Sequence, residues 1–213
     1  MSLLLCGEIR PIETIPDFGA ALHEHLRKKT NPAVHAASVA AWSLLADGLR
    51  MLGLEALPEV RFDPSGKPRF TDSPLHFSLS HSGRLAAVLI SDAPCGVDVE
   101  QLRPEVAARL HERCLSDVER ARSCDFFELW TKKECIAKLD GSGMRNHPSE
   151  INTLDACWNH RFFTTRICDS AGQEYVLSAL CWDAETLTII KNGTEALDCS
   201  PSNRQRNKGP VIE

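Results

Sequence analysis

Two acidic side chains in one short segment, and a third further along the chain, are the residues here best suited to chemistry. In Gly96-Val97-Asp98-Val99-Glu100, apolar Val97 and Val99 alternate with Asp98 and Glu100. That is the period of a strand with one face packed and one polar. Both carboxylates then point the same way, roughly 6–7 Å apart at the backbone from ~3.3 Å of rise per residue. Like charges held that close repel, so a cation between them is expected. A hard ion with oxygen ligands, Mg²⁺ or Mn²⁺, suits the pair. Later, Trp130-Thr131-Lys132-Lys133-Glu134 leads to Lys138. On a helix Trp130, Glu134 and Lys138 share one face, four residues apart in turn. Glu134 can then complete an Asp-Glu-Glu set around the ion, with positions left for water and phosphate oxygens. Taken alone, Asp98 and Glu100 suit the solvated face of an edge strand equally well. Trp130 beside Glu134 tips the reading toward partial burial.

A third polar group is Ser80-His81-Ser82, whose hydroxyls and imidazole can donate to a phosphate. Adjacent Ser and His do not face each other as a nucleophilic triad must, and no G-x-S-x-G elbow is present. Gly66-Lys67-Pro68 lacks the multi-glycine cradle and following Ser/Thr of a P-loop. His111 and Cys114 are three apart on an expected helix, and two ligands do not make a zinc site.

The elements that must position these groups follow from periodicity and punctuation. Residues 3–9 read as a strand. Phe18, Leu22 and Leu26 predict a helix over 18–28, ending in Arg27-Lys28-Lys29. Asn31-Pro32 is a start signal for a longer helix to about Leu52. Residues 61–75, rich in Pro and Gly, read as a surface loop. Strands at 75–80 and 85–91 and the strand with Asp98 and Glu100 follow in succession and predict one antiparallel sheet. Helices are expected from Arg103-Pro104 to about Leu115 and from Asp125 to about Leu139. Further strands are expected at 162–168, 174–182 and 186–190. Residues 200–213 read as a disordered tail. Each half has helices and a hairpin, with turns at Ser82-Gly83 and Ala171-Gly172, which predicts an α+β chain of two halves, 1–101 and 102–199.

The composition is that of a globular protein, with 43% hydrophobic and 25% charged residues and a net charge of -5. That balance argues against a dedicated nucleic-acid binder. No apolar run approaches the roughly 18 residues of a membrane span, and no signal peptide is recognisable. Nine dispersed cysteines without a CxxC pair predict reduced, mostly structural thiols. The expected location is the cytoplasm.

The ordered set Gly66-Lys67-Pro68, Phe77-Ser78-Leu79-Ser80-His81-Ser82, Gly96-Val97-Asp98-Val99-Glu100 and Trp130-Thr131-Lys132-Lys133-Glu134-Cys135-Ile136-Ala137-Lys138 closely resembles the Sfp-type 4'-phosphopantetheinyl transferases. The motifs span roughly residues 20–140. The resemblance implies two similar α+β halves with antiparallel sheets, related by a pseudo-twofold axis, with coenzyme A in the cleft between them. It implies transfer of 4'-phosphopantetheine from coenzyme A to a serine of an acyl, peptidyl or polyketide carrier protein, with release of adenosine 3',5'-bisphosphate. By the same resemblance Asp98, Glu100 and Glu134 hold Mg²⁺ (or Mn²⁺), and Glu134 is also the candidate base for the acceptor serine. Lys138 contacts the pyrophosphate. Ser80 and His81 bind the nucleotide, Lys67 and Pro68 line the adenine and phosphate side, and Lys28 and Ser43 join them. Trp42 stands where the family often has arginine. A monomer is expected, with neither nucleic acid nor membrane as partner. A magnesium-dependent hydrolase of pyrophosphates or phosphodiesters and a non-catalytic binder of coenzyme A or carrier protein stand as alternatives.

Overall fold

The structure is a computed structural model that describes residues 1–10, 15–122, 124–141, 143, 147–158, 161–182, 184, 187–191 and 195–197. The expected tail, 200–213, lies outside the described residues. The chain is α+β. It runs β1 (Ser2–Glu8), α1 (Ala20–Arg27), α2 (Pro32–Met51), β2 (Val60–Phe62), β3 (Pro68–Phe70), β4 (His76–Ser82), β5 (Leu85–Ser91), β6 (Gly96–Gln101) and α3 (Pro104–Cys114). There follow α4 (Asp117–Ala121), α5 (Phe126–Asp140), β7 (Phe162–Cys168), β8 (Glu174–Leu180), β9 (Leu187–Lys191) and β10 (Glu195–Leu197).

One sheet has the order β10-β9-β1-β5-β4 and another the order β6-β8-β7, while β2 and β3 form a separate hairpin. All these pairings are antiparallel except β1 with β9, which is parallel. Side-chain alternation along β1 and β5 explains the layering. Leu3, Leu5, Val88 and Ile90 pack with Leu22, Trp42, Leu45 and Leu49 of α1 and α2. Leu4, Cys6, Ala87 and Leu89 turn the other way onto Val97, Val99, Leu177 and Ala179 of the second sheet. Beyond it, Phe126, Phe127 and Leu129 of α5 close a third cluster with Leu115 and Val176. The apolar run of β5 is thus a strand buried on both faces, all seven of its residues being buried.

The structure corrects several expectations. The strand with Asp98 and Glu100 does not extend the β4–β5 sheet. Both edges of β5 are taken, by β1 and β4, and β6 pairs instead with β8, Asp98 opposite Ser178. Within the first sheet the pairings are antiparallel, apart from β9, which returns to β1 in parallel. Strands therefore group otherwise than a division after residue 101: β6 joins β7 and β8, and β9 and β10 extend the sheet of β1, β4 and β5. The Pro/Gly-rich stretch 61–75 contains the β2–β3 hairpin, whose turn is held by Asp63 accepting from the amides of Ser65 and Lys67. The first helix starts at Ala20, since Gly19 has φ +89°, although Phe18 remains fully buried. The short helix α4 was not expected, yet Ser116 and Glu119 form a full capping box at its start.

Candidate active site

β6 delivers its two carboxylates as its alternation demands, with Val97 and Val99 fully buried in the inter-sheet core. Helix α5 crosses directly behind β6. Gly96 permits this approach, because a Cβ there would stand 2.1 Å from the carbonyl oxygen of Cys135. Asp125 caps α5 by accepting from the amide of Glu128, and Gly141 ends it in the left-handed conformation. The helix thereby sets Glu134 and Lys138 toward β6.

Asp98 is 3% exposed and is the centre of the group. Its Oδ1 accepts from Lys138 Nζ at 2.7 Å and from Ser80 Oγ at 2.7 Å. Lys138 Nζ also donates to the carbonyl of Val97 at 3.0 Å. Asp98 Oδ2 has no hydrogen-bond partner, and among the described residues it is the one buried side-chain polar atom of which this is true. Glu100 accepts from Ser82 Oγ at 2.8 Å and has Arg103 at 3.8 Å.

The charges are crowded. Burial, then the Asp98 carboxylate, raises the Glu134 carboxyl to about 7, with Lys138 opposing. Burial and Asp98 raise Glu100 as well. Burial works to lower the Lys138 ammonium, but Asp98 and Glu134 outweigh it and hold it above its usual range. Three carboxyl groups thus share one lysine, an arrangement short of positive charge. Among the described residues no three His, Cys, Asp or Glu side chains converge as a ready-made metal site. What fits a hard cation is the donor set: carboxylate oxygens, with Asp98 Oδ2 buried and unpartnered.

Two adjoining hollows open beside this group. One, about 260 Å³, is lined by Lys67, Pro68, Ser78, Lys138 and Gly141 among others. The other, about 300 Å³, is lined by His25, Lys29, Ser38, Trp42, Ser80 and His81. They share Gly66, Pro68, Leu79 and Lys138. The β2–β3 hairpin turn borders both hollows, and its Lys67 is tied to the end of α5 by a 2.8 Å bond to the carbonyl of Leu139. In the second, the His25 ring stacks on Phe62 with centroids 4.3 Å apart and 8° between planes. Ser38 Oγ lies 3.4 Å from His81 Nε2. Burial, then Lys29, lowers the His81 imidazole.

Of the residues singled out in the sequence, Asp98, Glu100, Lys138 and Ser80 come together, and Glu134 is in their electrostatic reach. Lys67, Pro68 and His81 line the hollows. Lys28 and Ser43 do not. Lys28 is 72% exposed and paired with Glu24, while Lys29 faces the second hollow. Ser43 turns back to the carbonyl of Val39 at 3.0 Å. It sits one residue, about 100° of helix, round from the face carrying Ser38, Ala41 and Trp42. That i, i+3, i+4 spacing was the available signal for Ser38. His25 and Phe62 meet only through tertiary packing and left no local signal.

Residues 94–188 match the family model of the 4'-phosphopantetheinyl transferase superfamily. Among curated relatives, the 4'-phosphopantetheinyl transferase AcpT of Salmonella typhimurium is 37% identical over 113 residues, 47% of this chain and 59% of its own. The 4'-phosphopantetheinyl transferase psf-1 of Bacillus pumilus is 36% identical over 89 residues, 38% of each chain. The 4'-phosphopantetheinyl transferase Sfp of Bacillus subtilis is 33% identical over 97 residues, 40% of this chain and 43% of its own. The matched stretch thus spans between about two-fifths and three-fifths of these relatives' lengths. The match begins just ahead of β6 and runs past β8 into β9, taking in every acidic residue of the site, and over that stretch the chain is similar to the 4'-phosphopantetheinyl transferase superfamily.

Proposed function

We propose that the chain transfers 4'-phosphopantetheine from coenzyme A to a serine hydroxyl of an acyl or peptidyl carrier protein, releasing adenosine 3',5'-bisphosphate. The observation that carries this reading is the unpartnered, buried Asp98 Oδ2, set beside two hollows that share the cationic Lys138. Asp98, Glu100 and Glu134 would hold a divalent ion, Mg²⁺ or Mn²⁺. When bound, it would neutralise charge on the pyrophosphate as the bond between phosphorus and the leaving oxygen breaks.

This chain's own residues do the rest. Lys138, kept charged by Asp98 and Glu134, supplies a compact positive charge to the phosphate oxygens. Glu134, set by α5 toward Asp98 and Lys138, can take the proton of the acceptor hydroxyl as the new phosphorus–oxygen bond forms. The stacked His25 and Phe62, with Lys29, Ser38 and His81, form a wall suited to an aromatic base and a phosphate. Pro68 borders both the reacting region and the nucleotide wall, and Lys67 borders the reacting region. Lys28 and Ser43 drop out of the contact set, and Trp42 belongs to the aromatic packing of Phe18, Phe62 and Phe77.

The carrier protein's place is the surface of α3. Arg109 and Arg113 are exposed there and border a shallow hollow, whereas Arg120 is committed to Asp117 and to the carbonyls of Glu112 and Leu115. The chain works as a cytoplasmic monomer of two α+β units, its cysteines those of a reducing compartment. Among the described residues no disulfide is formed.

The test is incubation with coenzyme A, Mg²⁺ and a panel of apo carrier proteins, read by intact mass. One phosphopantetheinyl group on a single serine is expected, dependent on Mg²⁺. Coenzyme A cleaved at the same rate without a carrier would make the chain a hydrolase instead. Coenzyme A bound but never consumed would make it a binding protein.

A further inference from the structure

β6 is an edge strand of its sheet, and an edge strand presents a row of amides that need partners. Its outward amides belong to Val97, Val99 and Gln101. Each donates not to a neighbouring strand but to a serine hydroxyl of β4: Val97 N to Ser78 Oγ at 3.0 Å, Val99 N to Ser80 Oγ at 3.3 Å and Gln101 N to Ser82 Oγ at 3.2 Å. The period of two in Ser78-x-Ser80-x-Ser82 matches the period of two in β6, so one face of β4 docks onto the open edge of the other sheet.

A hydroxyl that accepts an amide still has its proton to give. Ser80 gives it to Asp98 Oδ1 at 2.7 Å, and Ser82 gives it to Glu100 Oε2 at 2.8 Å. The third rung, Ser78, faces the level of Gly96, which carries no side chain. Lys138 binds the same Asp98 oxygen as Ser80. Two donors on Oδ1 leave Oδ2 as the unpartnered atom.

We propose that Ser80 and Ser82 are positioning residues. Each ties its carboxylate to the backbone of β6 across the gap between the sheets, and Ser80 selects Asp98 Oδ2 as the oxygen presented to a divalent cation. Ser80 thereby does a different job from contacting the nucleotide, since its hydroxyl is committed in both directions. This rests on the divalent-ion reading of the site. The surrounding charges belong to it: Lys138 and Glu134 face the pair from α5, and Arg103 approaches Glu100 from the start of α3.

The test compares Ser78→Ala, Ser80→Ala, Ser82→Ala and Ser80→Thr. It reads Mn²⁺ affinity without coenzyme A by loss of the free-ion electron paramagnetic resonance signal. It also reads KM for coenzyme A, and amide exchange at Val99 and Gln101. Each alanine variant loses one amide acceptor, so Ser78→Ala controls for the structural cost. Ser80→Ala is expected to weaken Mn²⁺ by about tenfold or more and to speed exchange at Val99, with KM for coenzyme A within about twofold. Ser82→Ala does the same at Glu100 and Gln101. Ser80→Thr, which keeps the hydroxyl, restores Mn²⁺ affinity, and Ser78→Ala leaves it near the wild-type value. If Ser80→Ala binds Mn²⁺ as tightly as Ser78→Ala, or raises KM for coenzyme A while Mn²⁺ affinity holds, the positioning role is overturned and the transferase reading stands. If the wild-type chain binds no Mn²⁺ at all, both fall.

Discussion

Asp98 uses its two oxygens differently: Oδ1 takes Lys138 and Ser80, and Oδ2 takes no hydrogen bond from the described residues. Leaving a buried carboxylate oxygen unmatched costs stability, and under the proposed function a divalent cation would offset that cost. Asp98→Asn keeps the shape and removes the charge. Losing several kcal/mol of charge stabilisation at the phosphate, at ~1.4 kcal/mol per tenfold, predicts a fall in turnover of about 10²–10³. The melting temperature should move little, and retained turnover in a mass assay would refute the role. Glu134 supplies a pH test. Its folded-state value, about 7, lies above its ordinary 4.5, so between these the folded chain binds more protons than the unfolded one. Stability from this group is therefore lost as pH rises from 4.5 to 7 and stays lost above. Without divalent ions, Glu134→Gln should gain on wild type by up to about 3 kcal/mol between pH 5 and 8 in urea titrations. A constant difference across that range would refute the assignment.

At the scale of elements, α5 is held from three directions. Its backbone rests on Gly96, its Thr131 hydroxyl meets Ser178 of β8 at 2.8 Å, and its Lys133 runs into a fully buried ion pair with Glu119 at 2.7 Å. Lys133 also donates to the carbonyls of Pro148 and Ile151, and Glu119 accepts from Thr153, so one pair fastens α4 and the 148–153 segment to α5. Gly96→Ala should push α5 off β6 and abolish transfer, with a stability loss of about 1–3 kcal/mol or more by denaturant melts. Lys133→Met leaves a buried carboxylate unpaired and should cost about 3–5 kcal/mol. Burial works to raise the Glu119 carboxyl, but hydrogen bonds from Lys133, Ser116 and Thr153 outweigh it and hold it low. The stability it contributes is thus present above the ordinary carboxyl range and lost as pH falls through the depressed value. Lys133→Met should flatten that acid limb, and an unchanged limb would refute the coupling.

Across the whole molecule, the two sheets exchange strands between the ends of the chain. β6 follows β5 in sequence but pairs with β8, and β9 comes from beyond β8 to lie beside β1. A chain cut after residue 101 would strand β6 without its ladder and strip Leu177 and Ala179 from the core around Val97 and Val99. Residues 1–101 and 102–213 expressed apart should show no cooperative melt, and mixing them should restore one. Independent folding of either piece would refute this interdependence. The proposed docking of a carrier protein on α3 belongs to this scale too. Arg109→Glu with Arg113→Glu should raise KM for the carrier by about tenfold or more and leave KM for coenzyme A alone, and equal effects on both would place the docking face elsewhere.

Local chemistry was enough to mark most of the acidic site. The alternation around Asp98 and Glu100, the four-residue step from Glu134 to Lys138, the Asn31-Pro32 start and the Gly141 stop are patterns whose period or φ preference belongs to the residues themselves. Most elements were legible for the same reason. The partner of β6 was not, because a strand with one apolar face can pair with either neighbour until the edges of β5 are seen to be occupied. Lys29 and Ser38 rather than Lys28 and Ser43 line the hollow because a single residue turns a helix face by about 100°, and only packing says where that face looks. The serine rungs likewise read as phosphate donors until the second sheet is in place. A hydroxyl takes whichever partner is nearest, and distance between segments far apart in sequence is decided by the tertiary structure alone.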